Sequence, residues 1–262
     1  MSMIVFLLNK VFTKNAVKIQ VNGRLTGLVR ATKTESHFRT VEYNANRRGM
    51  LINEDKTRML CISSARSYLP EAYFHSSDGT RIKSSASLKV LGFTFTGEPN
   101  VRAHIKLLQQ KFKARIWALR HLRRNGFQQK DLVLVYKSMV RPVAEYCSSV
   151  FYSMMTAADS LEIERIQMQA LKSIFGWKLS YRDLLVQSGV DRLDARRETA
   201  FLELAKKLSE SPRYSHWFPR RPVRRMGLRK NPVFRLYPAT TERYMKSPLN
   251  RMRRMLNELF GE

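Results

Sequence analysis

Acidic side chains, cysteines and long apolar runs are all scarce in this chain, and each shortage excludes a class of protein. Against 48 Lys and Arg stand 21 Asp and Glu, a formal net charge of +27 over 262 residues. A surplus of that size repels itself in the compact state and is relieved by a polyanion, so a soluble enzyme acting on neutral metabolites is excluded. Two cysteines, Cys61 and Cys147, make neither a disulfide framework nor a zinc site, and an intracellular, reducing location in nucleus or cytoplasm is expected. His37, His75, His104, His121 and His216 lie far apart, with no Cys or carboxylate at ligand spacing, so no metal site is expected. Apolar runs such as Ile4 to Leu8 fall short of the roughly 20 residues that span a bilayer. No basic segment precedes that run as in a signal peptide, and no membrane association is expected. Neither a Gly-rich phosphate loop nor a Gly-x-Ser-x-Gly elbow is present.

What the chain does have is an apolar content of 44 %, enough to bury a core, and a run of basic helices. Between Glu98 and Asp131 there is no acid at all. In that stretch Ile105, Leu108, Phe112, Ile116, Leu119 and Leu122 recur at steps of three or four and define the inward face of a helix. At about 100° per residue, Arg102, Lys106, Lys113, Arg120 and Arg124 fall in a narrow arc beside that face. These five are the first candidates for contact with nucleic acid. Trp117, on the same helix, could stack a base, but the commoner place for such a residue, the edge of the core, is expected. A second helix is expected from about Gln129 to Val150, with Leu132, Val135, Met139, Val143, Tyr146 and Val150 inward and a kink at Pro142. A third opens on an Asp159 and Glu162 capping box, carries Ile163, Ile166, Ala170 and Ile174, and stops at Gly176. Helices from Ser180 to Gln187 and from Asp191 to Ser209 follow, and short connections favour antiparallel packing of the first three.

Before residue 98 the period is two rather than 3.6. A hairpin is expected at Asn22 and Gly23, then a helix from His37 to Arg48 with Phe38, Val41 and Ala45 on one side and Gly49 as its stop. Strands are expected at Met50 to Ile52 and Met59 to Ser63. Asp78 and Gly79 predict a type I′ hairpin between Tyr73 and Lys83, and a strand from Leu88 to Thr96 completes one small antiparallel sheet. At the other end, residues 213 to 254 hold thirteen Lys or Arg against a single acid, Glu242, with five prolines and six aromatics interleaved. Arginines for phosphates and aromatics for bases are the materials of single-strand binding, which adds Trp217, Arg220, Arg221, Arg224 and Arg225 to the candidates. The fold class expected is therefore α+β: a sheet region over 1–98, a three-helix bundle over 99–178, a helical extension over 179–211, and a basic, Pro-rich, largely irregular tail over 212–262.

Several short segments, in order, resemble the C-terminal part of reverse transcriptases of non-LTR (LINE-type) retrotransposons. Tyr43, Gly49, Ile52, Asn53, Lys56 and Thr57 resemble the helix and Asn-x-x-Lys-Thr turn at the end of that family's palm. Gly79, then Val90, Leu91, Gly92 and Phe93, resemble its Leu-Gly stretch. His104, Ile105, Tyr136, Arg141, Pro142, Glu145, Tyr146, Leu161, Glu164, Gln167 and Leu171 resemble its thumb helices, and Arg196 and Arg197 the element beyond them. The resemblance covers roughly residues 37 to 210. It implies a partial palm followed by a thumb that grips RNA or DNA, an RNA–DNA hybrid above all. It also implies that Leu91, Gly92 and Phe93 support a primer end, and that Lys56 is the palm-end lysine that protonates departing pyrophosphate in polymerases.

The family's catalytic aspartates are not in this chain. Asp55, Asp78, Asp131, Asp159, Asp183, Asp191 and Asp194 are scattered over expected turns and helix starts, and no two are adjacent. Without that acid pair no cofactor is expected, Mg²⁺ entering only if a complete palm is supplied. Three readings stay open from the sequence: a nucleic-acid-binding derivative of the enzyme that no longer copies, the back half of an active reverse transcriptase whose gene was read short, and an interaction remnant or decayed reading frame. The oligomeric state is not legible.

Overall fold

The structure, a computed structural model, describes residues 29–30, 32–53, 56–61, 72–90, 92–97, 101–221, 232–238, 245 and 247–260. The chain is mixed α and β with helix predominating. The described residues fall into two compact units, one within Lys10–Asn100 and one within Val101–Glu262. The expected hairpin at Asn22 and Gly23 lies outside the described residues.

In the first unit, helix α1 (Thr32–Asn46) lies against a sheet in which β1 (Val29–Arg30) runs parallel to β2 (Ala72–His75), and β2 antiparallel to β3 (Arg81–Lys83). The sheet is thus mixed, where an antiparallel one was expected. Helix α1 begins earlier than its apolar spacing indicates, and its buried side is Glu35 and Glu42 rather than Val41, which is exposed. Both acids reach the hairpin: Glu35 Oε2 accepts the His75 amide and Glu42 Oε1 the Ser77 amide, each at 3.5 Å. Phe38 packs its ring on Phe74 (centroids 4.9 Å apart), closing a small core with Met59, Ala72 and Ile82. The helix stops at Gly49, as expected.

Ser76 accepts from the Gly79 amide (3.1 Å), and Gly79 alone in that loop has positive φ, +91°. A type I′ turn needs positive φ at both central residues, so this is instead a type I turn followed by a left-handed glycine, with Asp78 accepting from the Thr80 amide at 2.7 Å. No strand forms at Met50 to Ile52, and Met59 contributes a single bridge, to Ser84. Residues 88 to 96 do not extend the sheet either. They fold back at Gly92 into a separate hairpin of β4 (Ser87–Val90) and β5 (Phe93–Thr96).

The second unit is helical. Helix α2 (Arg102–Arg124) buries Ile105, Leu108, Phe112, Ile116 and Leu119 as its period requires, each worth about 1.5–3 kcal/mol of transfer free energy. Its end is a Schellman motif: Gly126, at φ +83°, donates to Arg123 O, and Phe127 to Leu122 O. The next segment departs from a regular helix. After α3 (Gln129–Val135) comes a π-helical turn (Tyr136–Val140), then α4 (Arg141–Glu145), a left-handed Cys147 (φ +58°) and α5 (Ser148–Phe151). Pro142 has no amide for the carbonyl of Ser138, and the wider turn ahead of it accommodates the ring. The widening moves the inward face to Leu132, Tyr136, Val140 and Ala144, leaving the expected Met139 and Tyr146 exposed.

A 3-10 turn (Tyr152–Met154) leads into α6 (Ala157–Phe175), whose capping box is Thr156 with Asp159, three residues earlier than expected. Ile163, Ile166, Ala170 and Ile174 are buried as expected, and Gly176 follows the last turn. Arg102 lies beside Asp159 and Arg120 beside Ser173, so α6 runs alongside α2 in the same direction, and the returning α3 to α5 segment packs against both. Helices α7 (Tyr181–Ser188) and α8 (Leu193–Glu210) follow.

Beyond α8 the chain is folded wherever it is described. A 3-10 turn (Ser215–Trp217) and helix α9 (Pro248–Phe260) pack on α8, burying Trp217, Phe218 and Phe234 with Phe201, Leu249, Met252 and Leu256. Arg220 pairs with Phe234 across a short ladder, and Asn257 of α9 holds both the amide (2.7 Å) and the carbonyl (2.9 Å) of Phe234. An irregular tail was expected here. Alternating prolines and arginines conceal a segment with its own apolar anchors.

Candidate nucleic-acid interface

Arg102, Lys106, Lys113, Arg120 and Arg124 are all exposed on α2. Their arc of about 40° runs along the seam with α6. On the edge of the arc shared by Arg102 and Arg120 the guanidinium groups are engaged: Arg102 Nε stands 3.9 Å from Asp159, and Arg120 Nε donates to Ser173 Oγ at 3.1 Å. Gln109 donates to Glu162 between them (2.8 Å). Among the described residues no ion pair engages Lys106, Lys113 or Arg124. Helix α2 itself carries no acid, so these charges face outward uncompensated.

Trp117 does not edge the core. Its side chain is 66 % exposed, on the charged side of α2, with the His121 ring stacked on it (centroids 5.5 Å apart, planes 13° apart). The helical wheel holds the missed signal, because Trp117 follows Lys113 by four residues and precedes Arg120 by three. A second exposed indole, Trp177, stands just past α6 with Lys172 Nζ 5.5 Å above its ring.

Many of the residues that carry the family resemblance converge elsewhere, inside the bundle. Tyr136 donates to Gln167 Oε1 (2.5 Å), and Gln167 Nε2 donates to Tyr181 Oη and to the Asp191 carbonyl, both at 3.0 Å. Tyr181 donates to Glu164 Oε2 (2.5 Å), whose other oxygen accepts the Asp194 amide (2.6 Å). Arg197, buried, donates to Ser160 Oγ (3.0 Å) and stands 3.7 Å from Glu164. Arg196 binds Glu145, which also faces Arg141 at 3.7 Å. Burial raises the Tyr136 hydroxyl above its ordinary pKa; burial, then the bond to Glu164, does the same for Tyr181. Burial lowers the Arg197 guanidinium, against the pull of Glu164 and Asp194. These groups tie the second helical segment to α6, α7 and α8; their chemistry is internal support.

The remaining candidates are dispersed. Gly92 is the turn glycine of the β4–β5 hairpin, Phe93 is buried against Phe95 (centroids 4.7 Å apart), and Leu91 lies outside the described residues. Lys56 is exposed; its amide donates to Asn53 Oδ1 and Thr57 Oγ1 to the Asn53 carbonyl, both at 2.9 Å, which makes the Asn-x-x-Lys-Thr motif a self-capped turn. Trp217 is 9 % exposed and unavailable for stacking on a base. Arg220 and Arg221 are exposed on the ladder beside α9, and Arg224 and Arg225 lie outside the described residues. A Mg²⁺ clamp needs clustered acids, whereas Glu35 and Glu42 are committed to backbone amides, and no group of three or more His, Cys, Asp or Glu that could hold a metal occurs among the described residues. Nor is any described helix long and apolar enough to cross a membrane. Compared with family models, curated proteins and solved structures, the chain matches none.

Proposed function

We propose that this chain binds nucleic acid through the outer face of α2. The observation that carries the reading is the exposure of five cations on one arc of a helix without a single acid. Phosphate contacts supply affinity without sequence information, so binding is broad in sequence. The resemblance of residues 37 to 210 to the palm end and thumb of LINE-type reverse transcriptases favours an RNA–DNA hybrid as the duplex held. It makes the chain a derivative that grips template and primer and does not itself copy, for want of the acid pair.

Titration of a labelled RNA–DNA hybrid against salt tests the proposal. Four or five neutralised phosphates give a log–log slope of about −4. A flat dependence, or no binding in dilute salt, removes α2 as the grip. Primer extension by the purified chain with Mg²⁺ and nucleotides would remove the non-copying part of the reading.

A further inference from the structure

The cations of α2 explain attraction to phosphate. They do not explain Trp117, an indole two-thirds exposed in the middle of them. An exposed tryptophan that merely fills space leaves a large apolar face in water for no return. Here the ring is also held: His121, one turn on, lies parallel to it with centroids 5.5 Å apart, an offset stack that fixes the plane of the indole against the helix surface. Lys113 and Arg120 straddle Trp117, about 10 Å apart along the axis at 1.5 Å per residue, and Arg124 lies another turn on. A flat apolar ring with cations fore and aft matches one chemical object, a base with a phosphate on either side of it. Bases inside a duplex keep their faces against their neighbours, so only an unpaired or terminal base can offer one.

We infer that Trp117, braced by His121, is a stacking platform for an unpaired base. Resting on the nucleic-acid reading above, this makes the α2 face prefer single-stranded segments, or the frayed end of a duplex, over blunt duplex of the same sequence. A base laid on the outer face of the indole extends the existing ring stack by one layer, and its flanking phosphates reach Lys113 and Arg120. Stacking of this kind is indifferent to base identity, because every base has a π-face. Selectivity is therefore for structure and not for sequence. Lys106, further along the same arc, extends the backbone track towards the helix start.

The test uses the full chain, a 15-nucleotide single strand, the blunt duplex of the same sequence, and the single strand with abasic sites replacing successive nucleotides. Trp117→Ala is expected to weaken single-strand binding by about ten-fold or more, in line with the loss of one base–aromatic stack, while blunt-duplex affinity changes less than two-fold. Trp117→Phe restores most of the loss. The abasic strand is expected to bind the wild-type chain more weakly and the Trp117→Ala chain no more weakly than the intact strand. Equal weakening of both nucleic acids by Trp117→Ala, or of neither, overturns the platform and leaves the phosphate grip standing. Failure of the wild-type chain to bind either nucleic acid in dilute salt overturns the nucleic-acid reading and the platform with it. Thermal melting separates these outcomes from misfolding, since an exposed indole contributes little to stability.

Discussion

Two stretches of this chain are made of the same materials and use them in opposite ways. Helix α2 and the segment from residue 213 to 260 are both rich in arginine and lysine, and each carries a tryptophan. On α2 the cations and Trp117 face water; beyond α8 Trp217 is sealed among Phe201, Phe218 and Phe234. Arg253 follows it inside, 1 % exposed, with Nε 2.8 Å from the Trp217 carbonyl, Nη1 3.3 Å from the Arg235 carbonyl, and its guanidinium 4.2 Å over the Tyr237 ring. The difference lies in what each stretch can bury. Helix α2 has an apolar face of its own and leaves its charges outside. The C-terminal segment ends in α9, whose Leu249, Met252 and Leu256 are buried with the aromatics Trp217, Phe218 and Phe234 on α8, and there Arg253 turns inward to donate to the Trp217 and Arg235 carbonyls. Composition alone gives the two stretches the same expectation; only on α2 do the cations and the indole stay exposed together.

The largest expected effect comes from truncating the two tryptophans in parallel. Trp217→Ala leaves a void in a closed cluster and is expected to cost about 3–5 kcal/mol in denaturant unfolding. Trp117→Ala is expected to change stability by no more than about 0.5 kcal/mol. Equal costs would erase the distinction between the two stretches. Next comes Arg253→Ala, which leaves the Trp217 and Arg235 carbonyls without their donor and is expected to cost about 3 kcal/mol. The salt slope of nucleic-acid binding by the folded fraction is expected not to change. A lowered slope would place Arg253 in contact with phosphate after all.

The same contrast accounts for how much was legible in advance. A helix of 23 residues with an unbroken 3.6 period states its own register, so the buried and charged faces of α2 were readable side chain by side chain. The second helix was not, because Pro142 converts the preceding turn to π geometry and advances the inward face from Met139 to Val140. The cap lies three residues before the expected one because Thr156–Asp159 and Asp159–Glu162 both offer a capping residue and an acid three apart. The burial of Trp217 and Arg253 depends on contacts between residues far apart in sequence, and no local pattern announces those. Trp117 departs from expectation for another reason: the usual place of a tryptophan at a core edge and its position beside the charged arc of the wheel point to different surroundings, and the wheel prevails.

Within α2 the comparison can be sharpened by pH. His104 belongs to the same helix as the outward cations but is buried, its ring 5.1 Å from that of Phe151. Burial, with Lys111 adding to it, holds the imidazole at about 4, below its ordinary 6.5. The folded pKa is lower than the unfolded one, so between those values the unfolded chain binds the additional proton. The stability tied to neutral His104 is fully present above pH 6.5 and lost as pH falls towards 4, in total about 2–3 kcal/mol. His104→Leu is expected to remove that part of the acid sensitivity. Parallel loss of stability in both chains between pH 7 and 4.5 would show that His104 takes up its proton at the same pH folded as unfolded.

The smallest effect bears most directly on α2 as a grip. Lys113 has no ion pair among the described residues and its side chain points outward, so Lys113→Ala is expected to leave unfolding unchanged within about 0.5 kcal/mol. If its ammonium neutralises one phosphate, the variant loses a few-fold in affinity and the log–log salt slope becomes shallower by about 0.7–0.9. Arg120→Ala differs instructively, since it also removes the donor to Ser173 that ties α2 to α6 and is expected to lower both slope and stability. Lys113 therefore isolates the electrostatic term that Arg120 mixes with packing. A Lys113→Ala chain with the wild-type slope would mean that phosphates run along another face of the molecule, whatever the exposure of this one.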